Sequence, residues 1–280
     1  MRTPHSLLRL WPAALILCCS LVYQASCILR TFSPPRVHYV HEHKARQEVF
    51  AFKLPAPTDR SFNDTLHTLW RIENRLRTPA KTICRMEKLP RKKCIYSVTF
   101  INSSESNAIS FPEGAIFLFG GLAKYLHSED ELAYIVAHEI AHVVTSHSKE
   151  LLENRYRAGM LAAILGGALS AFAEANSRST YSYQSSQSEI EAYYYLGAAA
   201  ANVTFNKDQE READYLAAYM IHYAGYSLKK ARNAVRIVAK LSSKFDTGFA
   251  STHPAGNERL AAFDLTIREL QSSRDPKPRM

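Results

Sequence analysis

The pattern that most constrains this chain is His138-Glu139-Ile140-Ala141-His142, set in the run from Ser128 to His147. Residues four apart on a helix lie nearly above one another, so the two imidazoles can aim at one point, as a zinc ion requires. Glu139 follows the first of them directly. Its carboxylate falls beside the metal rather than on it, where it can take a proton from a water that the metal activates. The pattern makes two demands on the rest of the chain: a helix under these residues, and a third ligand from elsewhere.

Signals for the helix are present. Ser128-Glu129-Asp130-Glu131 has the spacing of a capping box, and its acidic first turn suits the helix dipole. Leu132, Ile135, Val136 and Val143 form an apolar stripe, while Ala133, Ala137 and Ala141 leave a small-residue face for another helix. Both features predict a buried central helix. His147 follows His142 by five residues and is expected across the helix from the metal, in a structural role. Ser148 stands where a metzincin would carry its third histidine, which excludes that pattern.

A second helix is expected from Asn206, with Gln209 at the capping-box position, to a stop at Gly225. Glu210 and Asp214 share one face of it with Ala213, Ala217 and Ile221, whereas Glu212 points away. Glu210 is therefore the candidate third ligand. Asp214, one turn on, is placed to accept the outer N–H of a ligating histidine and so fix its tautomer.

Two strands precede the histidine pair. Ile95 to Ile101 alternates in the manner of a strand, and Ala115 to Phe119 follows the turn Phe111-Pro112-Glu113-Gly114 and ends at Gly120-Gly121. If the second strand lies at a sheet edge, an extended substrate can add to it, which makes Pro112, Gly114, Ala115, Ile116 and Phe117 candidate substrate-binding residues; the alternative is an interior strand.

The other segments frame this body. Arg2 and Arg9 precede an uncharged stretch from Leu10 to Leu29, so residues 1–30 read as a signal peptide or an N-terminal membrane anchor. Residues 31–57, with Ser33-Pro34-Pro35 and mixed charge, read as a linker. A helix begins near Ser61 with a stripe of Leu66, Leu69, Trp70, Ile72 and Leu76. Residues 158–205 read as a helical hairpin around a Ser/Tyr/Gln tract, either ordinary packed helices or a lid or membrane-dipping element. Two further helices, Ser227 to Leu241 and Asn257 to Leu270, flank a loop carrying His253-Pro254, and residues 271–280 read as a frayed tail.

The formal charge of +9 raises the possibility of nucleic acid, but the cations are dispersed apart from one cluster between Arg75 and Lys93. That cluster suits a solvated face or an anionic membrane surface, and no nucleic-acid module accompanies it. Three of the five cysteines lie in the first 30 residues, leaving Cys84 and Cys94 either as a disulfide or as two thiols.

Three elements, His138 to His142, Glu210-Arg211-Glu212-Ala213-Asp214, and Thr252-His253-Pro254 with Arg259, stand in an order that resembles one peptidase family. These are the gluzincin metallopeptidases of the CAAX prenyl protease and HtpX type. The likeness runs from about Ile95 to Leu260 and takes in Asn107-Ala108 and Pro112-Glu113-Gly114. It implies a zincin-like α+β domain, mainly α, in residues 58–270, with a small sheet whose edge strand binds substrate. It also implies one zinc ion on His138, His142 and Glu210, with Asp214 behind them, Glu139 as base, and His253 and Arg259 bordering the site. Quality control of misfolded or membrane-associated proteins is the implied role, at a bacterial envelope or a mitochondrial inner membrane. A non-catalytic or self-inhibited chaperone-like protein that keeps the zinc site is the alternative.

Overall fold

The computed structural model describes residues 32–87, 94–154, 204–244, 249, 253 and 256–280. Along the chain run α1 (Tyr39–Ala51), α2 (Phe62–Met86), β1 (Ser97–Ile101), β2 (Ala108–Ser110), β3 (Ala115–Phe119), the single turn α3 (Gly120–Ala123), α4 (Glu129–Val144), α5 (Lys207–Tyr223), α6 (Leu228–Lys244) and α7 (Asn257–Ser272). The architecture is mainly helical with one small sheet, as expected. The leader, most of the 158–205 hairpin and residues 88–93 of the basic cluster lie outside the described residues.

Helix α4 carries the histidine pair and forms the centre of the core. The Ser128 hydroxyl accepts the Glu131 N–H, and the Glu131 carboxylate accepts the Ser128 N–H, so the capping box forms as the spacing predicts. Every residue from Glu131 to Val144 is buried. An all-round buried helix must be packed on all sides, and α4 meets α2, α5, α6 and the sheet. Leu132, Ile135, Val136 and Ile140 are each at most 1% exposed, and burying such a side chain contributes about 1.5–3 kcal/mol. That packing fixes the direction in which His138 and His142 point.

Helix α5 is bounded with equal definition. Asn206 accepts the N–H groups of Asp208 and Gln209, and the Gln209 side chain returns to the Asn206 N–H. At the other end Gly225 takes a φ of +71°, its N–H reaches His222 O, and the Tyr226 N–H reaches Ile221 O. This double closure needs a left-handed residue, which glycine adopts without steric cost. Arg75 adds a third cap by donating from Nε and Nη2 to Ala224 O, with its guanidinium 3.7 Å above the Tyr226 ring. Part of the basic cluster thus holds α5 while remaining exposed to solvent.

The sheet corrects one expectation. Its order is β1-β3-β2, with β1 parallel and β2 antiparallel to β3. The Ala115–Phe119 strand is therefore central, bonded on both sides, and offers no edge to a substrate. Its apolar run reflects that position, since strands buried on both faces do not alternate. The preceding turn is also structural: Gly114 has a φ of +93°, and a Cβ there would lie 2.0 Å from Ile95 O. Among the described residues the edge strands are β1 and β2. β2 is the one packed on α4, and Ser110 Oγ lies 3.0 Å from Ser148 Oγ just past the end of that helix.

Residues 32–57 are not a tether. Phe32, Ala45 and Val49 are buried, α1 packs on α7, and Glu48 is gripped by Arg232 at 2.6 and 2.7 Å and by Arg236 at 3.1 Å. These partners lie more than 180 residues away, so the segment reads as polar linker until the fold assembles them. Nor is the C-terminus frayed: Arg279 O accepts the Ser33 N–H, and Tyr219 donates to Lys277 O. On α2, Leu69, Ile72 and Leu76 are buried as expected, but Leu66 and Trp70 are 40% and 68% exposed. The buried face is completed instead by Ala80, Ile83 and Cys84, and Cys84 is disulfide-bonded to Cys94.

Candidate metal centre

Four buried side chains converge: two from α4, one from α5, and His253 from the sequence before α7. One donor atom from each of His138, His142, Glu210 and His253 lies within 4.8 Å of all the others. His142 Nε2 is 3.1 Å from His138 Nε2, and the Glu210 carboxylate approaches these nitrogens at 3.3 and 3.5 Å. His253 Nδ1 completes the group at 2.9 Å from Glu210 Oε1 and 3.3 Å from His138 Nε2. His253 is held by Phe249, whose N–H donates to Ser106 O just before β2 and whose ring stacks on His253 at 4.2 Å. The two helices thus bring together residues 72 positions apart, as the helical-face argument for Glu210 requires.

The group fits a metal ion by its own chemistry. Imidazole nitrogens and a carboxylate are a zinc donor set, and mutually facing nitrogens with a buried carboxylate form a cation-seeking arrangement. Glu139, fully buried beside them, has no hydrogen-bond partner on either carboxylate oxygen, although His253 Nε2 lies 3.4 Å from Oε1. A buried carboxylate in that condition is costly unless a ligand or reactant uses it.

Behind the donors stands a charged framework. His138 Nδ1 lies 2.9 Å from Asp214 Oδ1. Asp214 in turn accepts from Arg259 Nε at 2.7 Å, from Arg259 Nη2 at 2.8 Å and from the Tyr134 hydroxyl. Arg259 Nη1 also lies 2.6 Å from Glu210 Oε2, so one guanidinium serves both Glu210 and Asp214. Sequence reasoning missed Tyr134, although its position four residues before His138 was a usable signal. It also misplaced His147. Helix α4 ends at Val144, and Ser146 at φ +62° turns the chain back so that His147 Nδ1 lies 3.2 Å from His142 Nδ1. Phe205, stacked on His142 at 3.8 Å, is a further residue that no motif indicates.

These contacts set the protonation states. Burial disfavours charge on His138, yet Asp214 and Glu210 outweigh it and lift this histidine to about 9. Burial holds His142 well below the ordinary range, with the neighbouring His138 and His253 acting the same way against Glu210. Burial alone would raise Glu210, but Arg259 and His253 keep it strongly anionic. Asp214 likewise resists burial through Arg259 and sits at about 2, against 3.8 for a free side chain. Because the folded value is the lower one, this carboxylate contributes its stability fully above pH ~4 and loses it as the pH falls through about 2, an effect of about 2 kcal/mol. Denaturant unfolding of the metal-free protein across that window should show the loss, and Asp214→Asn should lack it.

With this geometry established, comparison with known proteins decides the family. The model of peptidase family M48 matches residues 71–267, most of the chain. The chain belongs to peptidase family M48. Among similar proteins, mitochondrial metalloendopeptidase OMA1 of Arabidopsis thaliana is 27% identical over 164 residues, covering 59% of this chain and 30% of that protein. The beta-barrel assembly-enhancing protease of Escherichia coli K12 is 28% identical over 185 residues, covering 62% and 36%. The OMA1 of Schizosaccharomyces pombe is 23% identical over 177 residues, covering 62% and 48%. The chain thus spans from about a third to a half of these M48 relatives. The residues singled out in the sequence meet in the buried group or directly behind it: the histidine pair on α4, Glu210 and Asp214 on α5, and His253 with Arg259 near the start of α7. Pro112 and Gly114 belong to the turn before the central strand, and Ala115, Ile116 and Phe117 to that strand itself.

Proposed function

We propose that this chain is a zinc-dependent endopeptidase that cleaves misfolded or membrane-associated proteins, tethered or delivered by its N-terminal segment to a bacterial envelope. A mitochondrial inner membrane is the alternative compartment. No helix among the described residues is long and apolar enough to cross a membrane, so attachment falls to the leader in this reading. The observation that carries the reading is the convergence of His138, His142 and Glu210 on one point, with the unpartnered Glu139 carboxylate beside it.

His138, His142 and Glu210 would hold the ion, and Asp214 and Arg259 orient the first and third of them. Zinc, when bound, supplies Lewis acidity for a scissile carbonyl and for an attacking water. Glu139 takes the proton of that water and delivers one to the leaving amine. An extended substrate would add to the outer edge of β2, the edge strand packed on α4, so that backbone pairing selects strand conformation rather than side chains. This moves the substrate-binding role from Ala115–Phe117 to Ala108–Ser110.

A second state of the same site is favoured by His253, whose Nδ1 lies inside the donor group. In that state His253 would occupy the donor group in place of an attacking water, and the protein would be self-inhibited until His253 withdraws. Chelation tests the reading as a whole. A zinc chelator should abolish β-casein digestion, and added zinc should restore it. Digestion that survives complete metal removal would refute it.

A further inference from the structure

The two ligand histidines of the proposed zinc site are held from behind by different devices. His138 meets an aspartate directly, whereas His142 meets another histidine. We propose that His147 and Glu212 are positioning residues for His142, forming with the backbone N–H of Phe32 a directed hydrogen-bond relay that fixes its tautomer and strengthens its hold on zinc. The inference rests on the zinc reading of the site.

The order of donors follows from the Glu212 carboxylate, which can only accept. Glu212 Oε1 accepts the Phe32 N–H at 3.0 Å, a group that can only donate. The other carboxylate oxygen, Oε2, lies 3.4 Å from His147 Nε2, so that nitrogen carries the hydrogen. With its hydrogen on Nε2, His147 presents Nδ1 as an acceptor, and this atom lies 3.2 Å from His142 Nδ1. His142 must therefore carry its own hydrogen on Nδ1, which leaves Nε2 bare. Nε2 is the atom that faces the donor group, 3.3 Å from Glu210 Oε1. The Glu212 carboxylate, held in place by the Phe32 N–H, thus sets through His147 which nitrogen of His142 is available to a metal.

Other observations mark the relay as built rather than incidental. His142, His147, Glu212 and Phe32 are all at most 2% exposed, so water does not compete for these contacts. The turn that returns His147 to α4 puts a non-glycine residue, Ser146, at φ +62°, a conformation that L side chains rarely adopt. Phe32 is itself anchored, since Ser33 donates to Arg279 O and Arg211 Nη2 donates to Pro35 O. The segment that follows the leader is thereby coupled to the metal site.

The test compares zinc affinity of the full-length chain, by competition with a chromophoric chelator, and the visible absorption of its cobalt(II)-substituted form. His147→Leu removes both links and should weaken zinc binding about 10–100-fold and shift the cobalt bands. His147→Asn places an acceptor oxygen near the former Nδ1 and should recover affinity to within about threefold of wild type. Glu212→Gln keeps the shape but weakens the last acceptor, and should loosen zinc by less than about tenfold with a smaller band shift. Wild-type affinity and bands in His147→Leu would overturn the relay, as would a folded His147→Asn no better than His147→Leu. Should His147→Leu fail to fold, unchanged affinity and bands in Glu212→Gln overturn it instead. A wild-type chain that bound neither ion would overturn the zinc reading and the relay with it, whereas normal wild-type binding with unaltered variants removes the relay alone.

Discussion

Glu139→Gln should lower peptide-bond cleavage by about 10²–10⁴-fold while the protein keeps its zinc. The side chain is fully buried on α4, and neither of its oxygens has a hydrogen-bond partner. Glutamine matches it in volume, so no cavity opens and the adjacent His138 keeps its place. What is lost is the ability to take a proton, because an amide is not a base at neutral pH. Measuring β-casein digestion and zinc content on one preparation separates the two roles. A variant that cleaves at the wild-type rate would remove Glu139 from the chemistry, and one that loses zinc would make it a structural or ligating residue instead.

Arg259→Leu should destabilise the metal-free protein by about 3–5 kcal/mol, the cost of breaking a buried ion pair from one side. Arg259 is 4% exposed and contacts both Asp214 and Glu210, so its removal strands two carboxylates in the core. Arg259→Lys should recover little, since an ammonium cannot reproduce two parallel bonds to Asp214 and a third contact to Glu210. Urea unfolding of the metal-free forms measures this. A loss under about 1 kcal/mol for Arg259→Leu would mean that the acids find other partners, and that the guanidinium does not organise the site.

The parts of this site that were legible in the sequence are those governed by local periodicity. His138, His142, Glu210 and Asp214 each lie four residues from a partner on the same helix, and Ser128 and Asn206 announce the helix starts. Contacts that depend on tertiary closure were not legible. His147 was assigned to the far side of α4 because the helix was extrapolated past Val144, and the left-handed Ser146 that reverses the chain leaves no composition signal. The place of Ala115–Phe119 in the sheet stayed open because such an apolar run fits an edge or an interior strand until its neighbours are known. Residues 32–57 resembled a linker because Glu48 finds Arg232 and Arg236 only after the chain folds. Motif order, by contrast, survived intact, since it depends on none of these contacts.

The central claim is that Glu210 joins His138 and His142 as the third ligand of a single zinc ion. Its most direct test is zinc stoichiometry of purified wild-type protein and Glu210→Ala after dialysis against a weak chelator. The account predicts one zinc per wild-type chain and near-complete loss in the variant, with the fold retained by circular dichroism. A folded Glu210→Ala that still carries one zinc per chain would contradict it.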